Sequence, residues 1–95
     1  MTDEQKIDRA KQSIQLGAEY PYDASDAWWN GDEETEPPAS TDAAHLAARA
    51  VVADLKDRRG IKNGFNNVDE DIRVEIVDRL AEIIRQAMTT GSQDR

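Results

Sequence analysis

An all-α fold is predicted: a compact three-helix bundle with an acidic, aromatic-bearing loop between the first and second helices. Three stretches carry that expectation. Placed on a helix at 100° per residue, residues 68–88 put Ile72, Ile76, Val77, Leu80, Ile83, Ile84, Ala87 and Met88 on one face, and Asp71, Glu75, Asp78, Arg79, Glu82 and Gln86 on the other. Residues 42–59 are rich in alanine and valine, and apolar around most of a helical circumference. Residues 3–17 follow Thr2 with Gln5 in capping-box register.

The first helix, 3–17, has a narrow stripe of Ile7, Ala10 and Ile14, with Gly17 placed to cap its C-terminus. So thin a stripe needs docking to hold the helix. The segment 18–41 follows, with all three prolines and with Tyr20, Tyr22, Trp28 and Trp29. Asp23 or Ser25 would cap a short helical turn ending at Trp29, and Asn30-Gly31 is a turn signal. Neighbouring tryptophans on a turn point apart, so one is expected to close the end of the core and the other to stay at the surface.

In the second helix, 42–59, Ser40 or Thr41 is the expected N-cap. Ala44, Ala48, Val52 and Leu55 mark its apolar arc, and His45, Arg49 and Lys56 its polar, solvent-facing strip. Gly60 ends it, with Ile61 placed to fold back on Leu55. Residues 60–67 are read as a connector from which Phe65 plugs the core. Asn67 with Glu70 would cap the third helix, Glu75 and Arg79 would pair at i,i+4, and 89–95 is a disordered tail.

Ninety-five residues make a single domain (1–95) with a modest core, and with 34% charged residues that core draws on few positions. Helix 68–88 supplies about half of the large aliphatics. The net charge is −8, and its placement is informative. Between Lys11 and Arg49 there are eight acids and no base, while the rest of the chain balances twelve acids against twelve bases. A charge block of this kind reads as a solvated loop or an interaction surface.

The sequence lacks cysteine, which removes disulfides and thiolate chemistry and fits a reducing compartment. The start of the chain has no apolar signal region, and no stretch is long and apolar enough to span a membrane, so a cytoplasmic protein is expected. His45 is the only histidine. The nearest calcium-loop register, from Asp26 with Gly31 sixth, fails at Trp28 and at Pro37. Phosphate-cradling and nucleophile-elbow motifs are missing as well. The one basic cluster, Lys56, Arg58, Arg59 and Lys62, is small and interrupted by Asp57, which disfavours direct nucleic-acid binding. The expectation is a non-enzymatic interaction protein with no metal and no cofactor.

Residues 54–88, DLKDRRGIKNGFNNVDEDIRVEIVDRLAEIIRQAM, give the chain a resemblance to small acidic proteins encoded by phages and other mobile elements. Some proteins of that sort inhibit host defence, anti-CRISPR proteins acting as DNA mimics among them. The resemblance implies a protein partner with a basic, nucleic-acid-binding groove. The candidate contact residues are Asp23, Asp26, Trp28, Trp29, Asp32, Glu33, Glu34 and Glu36. The alternative is a homo-oligomeric or adaptor module that uses the apolar face of helix 68–88, where Ile76, Leu80, Ile83 and Ala87 are heptad-like. A monomer or weak homodimer is expected.

Overall fold

A computed structural model describes residues 2–31, 36–58 and 60–93, with side chains as far as Thr89. The described residues form five helices and no strand: α1 (Asp3–Glu19), α2 (Asp26–Trp29), α3 (Ala43–Lys56), α4 (Lys62–Asn66) and α5 (Glu70–Gln93). Three are long, as expected, but they do not surround one shared core. α1 and α5 each pack against α3, which is the central layer. The radius of gyration is 14.4 Å, against about 12 Å for a round domain of this length, and the molecule measures 47 × 30 × 25 Å. None of the described helices is long and apolar enough to cross a membrane.

α1 starts with the predicted box. The Thr2 hydroxyl accepts from the Gln5 N–H at 3.2 Å, and the Gln5 side chain accepts from the Thr2 N–H at 2.8 Å. Gly17 is not its cap: the helix runs on to Glu19, and Gly17 is its one buried residue. A Cβ there would lie 2.7–2.8 Å from backbone atoms of Arg49 and Ala50, so Gly17 is where the α1 backbone meets that of α3. The large side chains of α1 stay outside, with Ile7 54% and Ile14 42% exposed. Between the two helices lies an apolar cleft of about 490 Å³, floored by Ala10, Ile14, Ala47, Val51 and Leu55.

The core lies between α3 and α5. Ala48 and Val52 meet Val77 and Ala81 there, Tyr22 closes one end, and Phe65, Ile76, Leu80 and Ile84 pack around the edge. The expected centre of the α5 stripe, Ile76 and Leu80, is therefore only its flank. The buried face is turned toward Arg73, Val77 and Ala81, which leaves Ile72 and Ile83 exposed on the far edge of the apolar arc. Two features set that rotation: Ala81 lets α3 approach closely, and Arg73 reaches the carbonyls of the 22–24 turn.

Several boundaries differ from expectation. Asp42, not Ser40 or Thr41, caps α3, its carboxylate accepting from the His45 N–H at 2.8 Å. α3 ends at Lys56, and Gly60 takes a left-handed turn (φ 84°) beyond it. The connector contains α4, from which Phe65 reaches the core as expected. The Asn67–Glu70 box does not form. Asn67 bonds back to the Asn63 carbonyl, and the Glu70 carboxylate accepts from the Asp26 N–H. α5 is still helical at Gln93, well past Met88, so the expected tail is helix at least that far.

Candidate functional site

The segment between α1 and α3 is fastened down by arginines from the two helices it crosses. Ser25 caps α2, its hydroxyl accepting from the Trp28 N–H at 3.2 Å. Arg73 of α5 donates to the carbonyls of Tyr22, Ala24 and Val68 at 3.0–3.2 Å and pairs with the Asp26 carboxylate at 2.7 Å. Arg49 of α3 donates to both Asp23 oxygens, at 2.9 and 3.3 Å, and to the Pro38 carbonyl at 2.7 Å.

His45 completes this buried cluster. Its Nδ1 accepts from the Thr41 N–H at 3.2 Å, which puts the ring hydrogen on Nε2, donating to Asp23 Oδ2 at 2.9 Å. His45 and Arg49, expected on a solvent-facing strip, are 6% and 4% exposed. The sequence places their partner, Asp23, 22 residues before His45, and no spacing rule connects them.

The candidate contact residues separate accordingly. Asp23 is an interior carboxylate, its side chain 8% exposed and bonded to Arg49 and His45. Asp26 is exposed but neutralised by Arg73. Trp28 is half-buried, and Trp29 is 40% exposed; their rings meet edge to face at 4.9 Å. Neither belongs to the core cluster, whose end is closed by Tyr22, with its hydroxyl donating to the Phe65 carbonyl at 2.9 Å and its ring edge-on to Phe65 at 5.3 Å. Burial pushes the Tyr22 phenol above its ordinary pKa, with Arg73 opposing. Asp32, Glu33 and Glu34 lie outside the described residues, and Glu36 is exposed.

Of the block's five described acids, three are neutralised in space. Asp23 takes Arg49, Asp26 takes Arg73, and Asp42 takes Arg85 of α5 at 2.9 and 3.1 Å. The Arg85 hydrogen bonds and then the His45 N–H hold the Asp42 carboxyl below its ordinary pKa. Glu82 is lowered too, first by Gln86 and then by Arg85, while Asp42 and Glu82 raise Arg85.

A row of carboxylates without a cation lies on α5. Asp71, Glu75 and Asp78 are exposed along one line of α5, and none makes an ion pair with any described residue; the expected Glu75–Arg79 pair does not form. At 1.5 Å of rise per residue they recur every ~4.5–6 Å along a straight element. One further group stands out. The Lys56 ammonium lies 5.1 Å from the Tyr22 ring and 5.6 Å from the Trp29 ring, with no ion pair among the described residues. Compared with protein-family models, with curated proteins and with solved structures, the chain matches none.

Proposed function

We propose that the chain is a non-enzymatic binding protein that presents carboxylates to a basic, nucleic-acid-binding groove on a protein partner; a phage-encoded inhibitor of a host defence complex is the narrower form of this reading. The observation that carries it is the row Asp71, Glu75 and Asp78, exposed and unpaired on α5. A helix holds such charges at fixed intervals, of the same order as the ~3.4 Å axial rise between phosphates of a DNA strand. Fixed charges that need no reorganisation steer a basic partner and set the register of the complex. Exposed Glu36 extends the acidic surface, whereas Asp23, Asp26 and Asp42 are answered internally.

The test compares wild type with D71N/E75Q/D78N as bait in the native host. Wild type should retain a nucleic-acid-binding complex at low salt, lose it at high salt, and displace that complex's DNA or RNA. The neutral variant should retain little of it. Equal capture by both, insensitive to salt, would sink the phosphate-mimic reading.

An adaptor reading has its own observation: Ile72 and Ile83 of α5 are 43% and 57% exposed. It expects a helix from a partner or a second copy on that edge. Light scattering across a tenfold concentration range separates the two copies' case from a monomer, and Ile83→Glu should abolish any dimer.

A further inference from the structure

Asp23, Asp26 and Asp42 have met their cations, but one half-buried cation, Lys56, has no ion pair among the described residues. Lys56 ends α3 between two lobes of a cleft, with volumes of about 260 and 220 Å³, which share Tyr22, Lys56 and Asn66 as lining. Each is smaller than a typical small-ligand site of about 300–1,000 Å³, and the two adjoin at Lys56. The charged neighbours that act on Lys56 are Arg73 and Lys62, both cations. Burial first, and then those two charges, hold its ammonium below the ordinary lysine pKa.

The two arginines on the lining are already matched. Arg73 is paired with Asp26, and Arg49 with Asp23. Asp57 is exposed and makes no ion pair with a described residue. Lys56 and Lys62 therefore remain as two positive charges in no ion pair with a described residue, with Asp57 the one unpaired carboxylate on the lining, in a chain of net charge −8. Two ammonium groups suit a dianion, and lysine serves phosphate as a point charge.

The aromatic side chains supply the second half of the argument. Trp29 lines one lobe and Tyr20 the other, and their rings are stacked with centroids 6.5 Å apart and planes 25° apart. At 40% and 57% exposure both keep ring surface open to a ligand. Planar ligands stack on such faces, as bases do in nucleic-acid sites.

We propose that the cleft around Lys56 binds a planar aromatic ring carrying one phosphate, of the nucleoside monophosphate class, with the phosphate at Lys56 and Lys62 and the ring against Trp29 and Tyr20. The site is separate from the carboxylate row of α5 and does not depend on it.

The test is titration of the full chain with adenosine 5′-monophosphate, with adenosine, and with inorganic phosphate, followed by ¹H–¹⁵N spectra. The monophosphate should give saturable shifts at the Trp29 indole and at the amides around Lys56, and bind at least tenfold tighter than either half alone. Lys56→Gln should weaken it at least tenfold. Because Lys56 has no ion pair, this variant orphans no carboxylate, and loss of its contacts with the Tyr22 and Trp29 rings should lower the melting temperature only slightly, leaving the fold intact. Lys11→Gln, away from the cleft, should bind as wild type does. No saturable shift with the monophosphate, equal affinity for inorganic phosphate, or full binding by Lys56→Gln would each overturn the proposal.

Discussion

Helix α3 meets its two long neighbours in different ways. Against α5 it buries side chains: Val52 and Ala48 on one side, Val77 and Ala81 on the other, all at 2% exposure or less. Against α1 it brings backbones together at Gly17 yet leaves Ile7 and Ile14 exposed over an open apolar cleft. Closeness of helix axes and burial of apolar surface are separate quantities. Small residues allow the first, but the hydrophobic effect rewards the second. The α5 side should accordingly carry most of the cooperative stability, and α1 should open before the rest.

The largest effect is expected at Arg49, which joins α1 and the 20–38 segment to α3. The Arg49 backbone receives Gly17, and its side chain, 4% exposed, holds Asp23 and the Pro38 carbonyl. Arg49→Met leaves a buried carboxylate facing only His45, and breaking such a pair costs about 3–5 kcal/mol. Chemical denaturation measures it. A loss below about 1 kcal/mol would mean that the 20–31 segment is not fastened through this pair.

Val77→Ala comes next. It removes two methyl groups at about 0.8 kcal/mol each and leaves a cavity, for about 2 kcal/mol in all. The conservative truncation on the other side, Ile14→Ala, should cost under about 0.5 kcal/mol, because much of that side chain is already in water. Equal losses at the two positions would abolish the distinction between the interfaces.

Gly17→Ala gives a test by sign. On an undocked helix, alanine would stabilise by about 1 kcal/mol through propensity alone. In this structure its Cβ would meet backbone that no rotamer change can clear, and overpacking costs about 1–3 kcal/mol. The variant should be less stable, with amide exchange accelerated in α1 and little altered in α5. A gain in stability would show that α1 is not held against α3 at this point.

The same contrast explains what the sequence disclosed. Periodicity found the long helices, because α1, α3 and α5 each repeat their apolar positions at helical spacing. It could not choose which part of a broad apolar arc faces inward. On α5 that choice was made by Arg73, a charged residue whose targets are carbonyls about fifty positions away in sequence. Gly17 looked like a cap because glycine ends many helices, and close backbone contact asks for the same residue. The block of acids read as an open surface because its arginines, 49, 73 and 85, stand outside it in the chain. His45 and Asp23 offered no local signal, since a buried pair between a turn and a helix has no fixed spacing. The unpaired row on α5 was visible as a polar helix face; its lack of cations was not, because Arg79 stood in register to pair with Glu75 and does not.

The smallest effect separates the two sides of α3 by acid. Arg85 of α5 ties Asp42, the N-cap of α3, and also bonds Glu82. Both carboxyls are held below their ordinary pKa, so the native state binds fewer protons there than the unfolded chain does. The stabilisation they give is therefore present above the unfolded carboxyl range, about pH 4, and is lost as pH falls through the lowered folded values. Among the described residues no ion pair joins α1 to α3, so this loss belongs to the α5 side. Below about pH 4, amides in the C-terminal half of α5 should exchange faster, with those of α1 changing less. Arg85→Gln removes the ion pairs but leaves Asp42 its bond from the His45 N–H, so the variant should keep its helix cap and show a weaker acid response in α5. All of these groups are solvent-exposed, and added salt should mute the difference. An identical acid response in Arg85→Gln would show that these ion pairs do not carry the pH dependence, and return the two interfaces of α3 to equal footing under acid.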